Sequence, residues 1–198
     1  MKATIVDYYD QCYPDYKLIW KTDKTLAIHY GFHDETHRKH IDAVINMNRV
    51  LAKAAGISSK DKVLDTGCGV GGSAIWLAEN CGCSVTGITL SKKQVIMANQ
   101  VAKKRGLTEL VRFCLADFNH APFPTGSYDA IWALESACHA IDKLVFLKEA
   151  KRLLKEKGRI VVADGFLADG LNEPEKQAVW AWASGWAAPN LTTASEFK

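Results

Sequence analysis

A chain of 198 residues with 48% hydrophobic and 24% charged residues has room for one well-packed domain and little more. Its net charge of +3 arises from Lys and Arg scattered among acids, without the basic stripe of a nucleic-acid binder, so no nucleic-acid partner is expected. The start, "MKATIVDYYDQ", puts acids and tyrosines where a secretory h-region would begin, and the longest uncharged run, "AVWAWASGWAAPNL", is too short for a membrane span. Six cysteines without a C-x-x-C speak against a zinc or disulfide framework and for a reducing cytoplasm.

Along the chain, Ile41, Val44, Ile45, Val50, Leu51 and Ala54 recur at helical spacing and predict a helix over 35–55, with Gly56 as its stop. Strand and helix then alternate. "KVLDT" predicts a strand running into the glycine loop "GCGVGG", and "GSAIWLAEN" the helix after it. "SVTGITL" predicts the second strand, followed by a helix over 91–105 that Gly106 stops. "VRFCLAD" and "YDAIWALE" predict strands three and four. Asp142 caps a predicted helix reaching residue 157, ended by Gly158, and "RIVVADGF" is the fifth strand. Short apolar strands separated by amphipathic helices predict an α/β fold with a doubly wound parallel sheet.

The glycine loop fits two patterns. Residues 67–72 match G-x-G-x-x-G, the dinucleotide fingerprint, and Asp65, Gly67, Gly69 and Gly71 match D-x-G-x-G-x-G, the loop of S-adenosylmethionine enzymes. A nicotinamide site needs an acid at the end of the second strand to grip the ribose, and Thr89 stands there, followed by Leu90. A carboxylate at the buried end of a strand is costly unless a cation or donor satisfies it, and the methionyl ammonium would satisfy Asp65. Asp117 in "LADF" is placed to accept from an adenine amino group, with Phe118 beside the ring. Asp117 also reads as a loop cap, and Ser91-x-x-Gln94 as a capping box. The spacing favours S-adenosylmethionine as cofactor.

On these motifs the chain resembles class I S-adenosylmethionine-dependent methyltransferases, in the small-molecule branch of tocopherol, sterol, coclaurine and sugar O-methyltransferases. The resemblance implies that Thr89 and Gln94 replace the acid at the ribose. It implies that Leu134 in "ALESACHA" lines the cofactor while Glu135 and His139 face a small-molecule methyl acceptor. "YYDQCYPDYKLIW" and "IHYGFHD" resemble the leader of the tocopherol group, which folds over the cofactor as a lid. Tyr8, Tyr9, Tyr16 and His29 are thereby candidate pocket residues. The implied organisation is a helical lid over 1–56, a Rossmann-like core over 57–167 and the start of a cap over 168–198. The family continues with a further helix and a final antiparallel strand pair, so the expectation is a truncated form, or a sheet completed in some other way. A truncated form would have an open sheet edge, self-association through that edge and a gaping acceptor pocket.

Methyl transfer is an in-line displacement that rests on alignment in a dry pocket, and an oxygen or nitrogen acceptor must also lose a proton. His139 is the candidate base, Asp164 is placed to orient a His or the substrate, and Glu135 to hold a hydroxyl or a developing cation. His33, His37 and His40 fall at i, i+4 and i+7, as if on one helix face, yet no H-E-x-x-H accompanies them and no metal is expected. The [DN]-P-P-[YF] loop of base methyltransferases is replaced by "LESA". Cyclopropane-type lipid methylenation and a catalytically inactive cofactor-binding subunit remain alternatives.

Overall fold

The computed structural model describes residues 2–188 and 190–198. Five parallel strands lie in the order β3-β2-β1-β4-β5: β1 (Lys62–Thr66), β2 (Ser84–Thr89), β3 (Val111–Leu115), β4 (Tyr128–Leu134) and β5 (Leu154–Ala163). Alternate residues feed opposite layers, as the period-2 geometry of a strand requires. Val63, Ala130 and Trp132 enter one core with Ala52, Ile75, Leu77 and Ala98, while Leu64, Ile88 and Ile131 enter a second with Ala150 and Leu153. The first layer is therefore covered by α3 (His40–Ala54), α4 (Gly72–Cys81) and α5 (Lys92–Lys104), and the second by α6 (Lys143–Leu153). The expected doubly wound α/β fold is present.

The chain order reverses between β1 and β4, and such a switch point opens a crevice at the carboxyl ends of the strands. Thr66 ties this point together, its hydroxyl donating to the Trp132 carbonyl at 3.0 Å. From α1 (Lys2–Ile19), Ile5, Val6 and Tyr9 form part of the crevice wall, and the short α2 (Thr22–Thr25) packs against α1. Beyond β5, α7 (Glu173–Ser184) starts at an Asn172–Glu175 capping box and presents Trp180 and Trp182, 39% and 60% exposed. The last helix, α8 (Ala194–Phe197), is a single turn.

Strands β3 and β5 end at Leu115 and Ala163, short of the expected 117 and 166, and two helix boundaries differ with a visible cause. Helix α3 begins at His40 rather than residue 35, because the Asp34 carboxylate takes the backbone N–H groups of Thr36 and His37 at 2.9 and 2.8 Å. Those donors are spent on a local turn that competes with helix. Helix α6 ends at Leu153 rather than residue 157, and Gly158 lies inside β5. The Arg152 carbonyl is taken by the Gly126 N–H at 2.9 Å, and Leu154 already pairs with Tyr128. Residues 155–158 are then accommodated as an irregularity before Arg159 pairs with Ala130.

Candidate functional site

A cavity of about 1140 Å³, its open mouth included, sits at the switch point. The ends of β1, β2 and β4, the stretch after β3, the glycine loop, the lid and the turn after β4 all contribute to its wall.

On the glycine-loop side, Asp65 is 3% exposed, one residue from the end of β1. Burial without a compensating partner pushes its carboxyl up to about 7, and Oδ2 has no hydrogen-bond partner. Such an oxygen calls for a donor, best of all a cationic one. Gly67 has φ +118°, and a Cβ there would stand 2.4 Å from the Ser136 Cβ, so only glycine brings the loop this close to the turn after β4. Ser136 itself lines the cavity with a buried, partnerless hydroxyl. Sequence reasoning did not single it out, and its position directly after Glu135 was the available signal.

Thr89, Leu90 and Gln94 line the wall together. The capping box is only half formed. Ser91 Oγ accepts the Gln94 N–H at 3.2 Å, but the Gln94 side chain turns to Thr89, whose hydroxyl donates to Oε1 at 2.6 Å. Asp117 and Phe118 line the wall beyond β3, and Asp117 Oδ1 accepts the Asn119 N–H at 2.9 Å. Leu134 and Gly69 complete this half.

The opposite half is assembled from distant segments. Glu135 follows β4 with φ +48°, a left-handed backbone that costs a non-glycine residue about 1–3 kcal/mol and that accumulates at functional sites. Its Oε1 accepts the Tyr30 N–H at 2.7 Å, and burial, against that bond, raises its carboxyl to about 7. The 3-10 turn Ala137–His139 comes next. His139 Nδ1 lies 2.9 Å from the Ala187 carbonyl and Nε2 lies 2.8 Å from the Tyr9 hydroxyl. A carbonyl only accepts, so Nδ1 carries the proton and Nε2 accepts from Tyr9. Burial lowers the His139 pKa and favours this neutral ring, while burial raises the Tyr9 phenol well above its ordinary value. Neither the Tyr9–His139 pair nor the Ala187 carbonyl has a local signal in the sequence, since the partners lie 130 and 48 residues apart.

The remaining candidates divide between the cavity and positions away from it. Asp164 does not bond to His139; its Oδ2 accepts the Cys138 N–H at 2.9 Å and its Oδ1 the Gly165 N–H at 2.8 Å. It thus fixes the turn that carries His139. Tyr9 and His29 line the cavity, whereas Tyr16 is buried in the lid and its hydroxyl meets that of Tyr8 at 3.1 Å. The three histidines of "HDETHRKH" do not share a helix face. His37 is held between Asp34 and the Arg49 guanidinium, and His40 packs edge-on against Trp20.

Residues 64–162 match the profile of the family described as a methyltransferase domain. Over 162 residues the chain is 36% identical to the methyltransferase GfsG of Streptomyces halstedii, covering 80% of this chain and 56% of that one. It is 32% identical over 174 residues to the chloroplastic tocopherol O-methyltransferase of Arabidopsis thaliana, covering 82% of this chain and 49% of the relative. The fold matches a geranyl diphosphate methyltransferase structure, in complex with GPP and sinefungin, at TM-score 0.87. That match covers 99% of this chain and 77% of the other at 24% identity, a likeness of fold. The chain spans about half the length of the two curated relatives.

Proposed function

The chain belongs to the methyltransferase-domain family, and from that premise we propose that it transfers a methyl group from S-adenosylmethionine to an oxygen, nitrogen or carbon atom of a small molecule of phenolic, amine or isoprenoid type. The observation that carries this reading is the buried, partnerless Oδ2 of Asp65 beside the glycine loop, with Thr89 rather than an acid at the end of β2.

In this reading Asp65 accepts from the methionyl ammonium, and Gly67 and Gly69 let the main chain approach. Thr89, Leu90 and Gln94 take the ribose, Asp117 and Phe118 the adenine, and Leu134 forms the wall between cofactor and acceptor. The bound cofactor supplies a methyl group made electrophilic by its sulfonium. His139 is the base. Because Nε2 already accepts from Tyr9, a proton leaving an oxygen or nitrogen acceptor passes through that hydroxyl, which gives its own proton to Nε2 as it takes the acceptor's. Asp164 is a positioning residue acting through the Cys138 N–H, and Glu135 holds an acceptor hydroxyl or a developing positive charge.

The proposed division of labour is a lid over 1–56, a core over 57–167 and a cap segment over 168–198. A reducing cytoplasm suits the six free cysteines. The outer edge of β5 has no strand partner among the described residues, and self-association is proposed there; sedimentation at two protein concentrations checks it. Calorimetry tests the central reading. The chain should bind S-adenosylhomocysteine saturably and ignore NADH, and a methylation screen of the three acceptor types should follow. Saturable NADH binding without S-adenosylhomocysteine binding overturns it.

A further inference from the structure

A second buried acceptor belongs to a lid residue that lines the cavity. His29 is 6% exposed, and its Nδ1 lies 2.8 Å from the Tyr30 carbonyl, which makes Nδ1 the protonated nitrogen and leaves Nε2 a bare lone pair. Nε2 is buried and has no hydrogen-bond partner. Burial lowers this imidazole to about 4, so the ring is neutral at physiological pH and offers an acceptor rather than a charge.

The lid holds that ring in place. The Thr22 hydroxyl is within hydrogen-bonding distance of the carbonyls of Tyr16 and Ala27, at 2.9 and 3.2 Å, which fixes the turn leading into 26–29. Leu26 follows with φ +57°, and its carbonyl lies so close to α4 that a Cβ on Gly72 would stand 2.4 Å from it. Ile28 and His29 then form wall of the same cavity as Asp65 and Gly67. Just beyond, the Tyr30 N–H is anchored on Glu135. The segment carrying Nε2 is therefore packed against the glycine loop and pinned at both ends.

We infer that His29 is a second acceptor for the methionyl ammonium of S-adenosylmethionine, contributed by the lid and acting together with Asp65; this rests on the proposed cofactor. An ammonium offers three donors, and Asp65 Oδ2 answers one of them. A carboxylate would be repelled by a bare nitrogen lone pair, so of the two charged groups at the methionyl end only the ammonium suits Nε2. Such a contact makes cofactor binding and lid closure one event.

The test compares S-adenosylhomocysteine with its analogue in which hydrogen replaces the amino group. By calorimetry the wild-type chain should prefer the amino compound, and His29→Ala should shrink that preference about tenfold, the scale of a hydrogen bond to a charged group. His29→Gln, which keeps an acceptor, should retain part of it. On the wild-type chain, the ¹⁵N resonance of His29 Nε2 should move with S-adenosylhomocysteine and stay with the analogue, a readout that does not depend on a variant folding. Equal weakening of both compounds by His29→Ala, or an Nε2 shift that is the same for both, overturns the inference while the cofactor reading stands. Failure of the wild-type chain to bind either compound instead removes the cofactor reading itself.

Discussion

The two halves of the cavity are built in different ways. Apart from His29, the proposed cofactor half draws on strand ends and the loops directly after them: Asp65 and Gly67 lie two residues apart, and Thr89 bonds to Gln94 five residues on. The proposed acceptor half joins α1, Tyr30, the turn after β4 and Ala187 through hydrogen bonds that span up to 130 residues. A site made of neighbours can be held by a short motif. A site made of distant segments exists only once the whole domain has packed.

Substitutions should separate the halves. Gly67 stands where they meet, so Gly67→Ala should damage both, through a left-handed φ and through collision with Ser136. The expected loss is about 3 kcal/mol or more of S-adenosylhomocysteine affinity, read by calorimetry. Binding within a factor of a few of wild type would show the loop to be more pliable than its contacts suggest.

His139→Ala should touch the acceptor half alone. Turnover of an oxygen or nitrogen acceptor should fall about a hundredfold or more while S-adenosylhomocysteine binding stays nearly unchanged. Tyr9→Phe should follow in the same direction, since it breaks the same bond. If His139→Ala turns over normally, alignment in the pocket suffices without a base.

Asp65→Asn should touch only the cofactor half, weakening S-adenosylhomocysteine by about 2 kcal/mol. It also carries a pH signature. The folded carboxyl titrates at about 7 against an ordinary value of 3.8, so between these values the folded state holds a proton that the unfolded state has released. Wild-type stability attributable to this group is therefore present below pH 3.8 and lost as the pH rises towards 7, by at most about 1.4 kcal/mol per pH unit. Asn does not titrate. The ligand-free variant should gain on wild type across that window, with a constant margin above it, in denaturant melts at pH 4, 6 and 8. A margin that does not change with pH would mean that Asp65 finds a partner when the site is empty.

The same contrast governs what the sequence reveals. The five strands and the glycine loop were legible because strand burial and the loop pattern are local, and the cofactor-half candidates Asp65, Thr89, Gln94, Asp117 and Phe118 all line one cavity. Gly158 misled because a helix stop can be preempted: the Gly126 N–H captures the Arg152 carbonyl five residues before the expected end at 157. The 35–55 periodicity was sound, but Asp34 diverted the first donors. Tyr9 and His139 were each readable as pocket residues, yet nothing at either position names the other. Asp164 was readable as a residue near the site, and its actual bond to a backbone N–H was not, because backbone donors carry no letter of their own.

Three hydrogen bonds close the lid over the core: Tyr9 to His139, Ser91 to Asp10 and the Tyr30 N–H to Glu135. With the segment 26–29 lying on the glycine loop, exchange of the proposed cofactor requires these bonds to part. At about 1 kcal/mol each, they favour the closed form. In the proposed reading, lifting of the lid, a microsecond-to-millisecond class of motion, gates that exchange, so a substitution on α1 far from the reacting atoms can change the pace of the cycle.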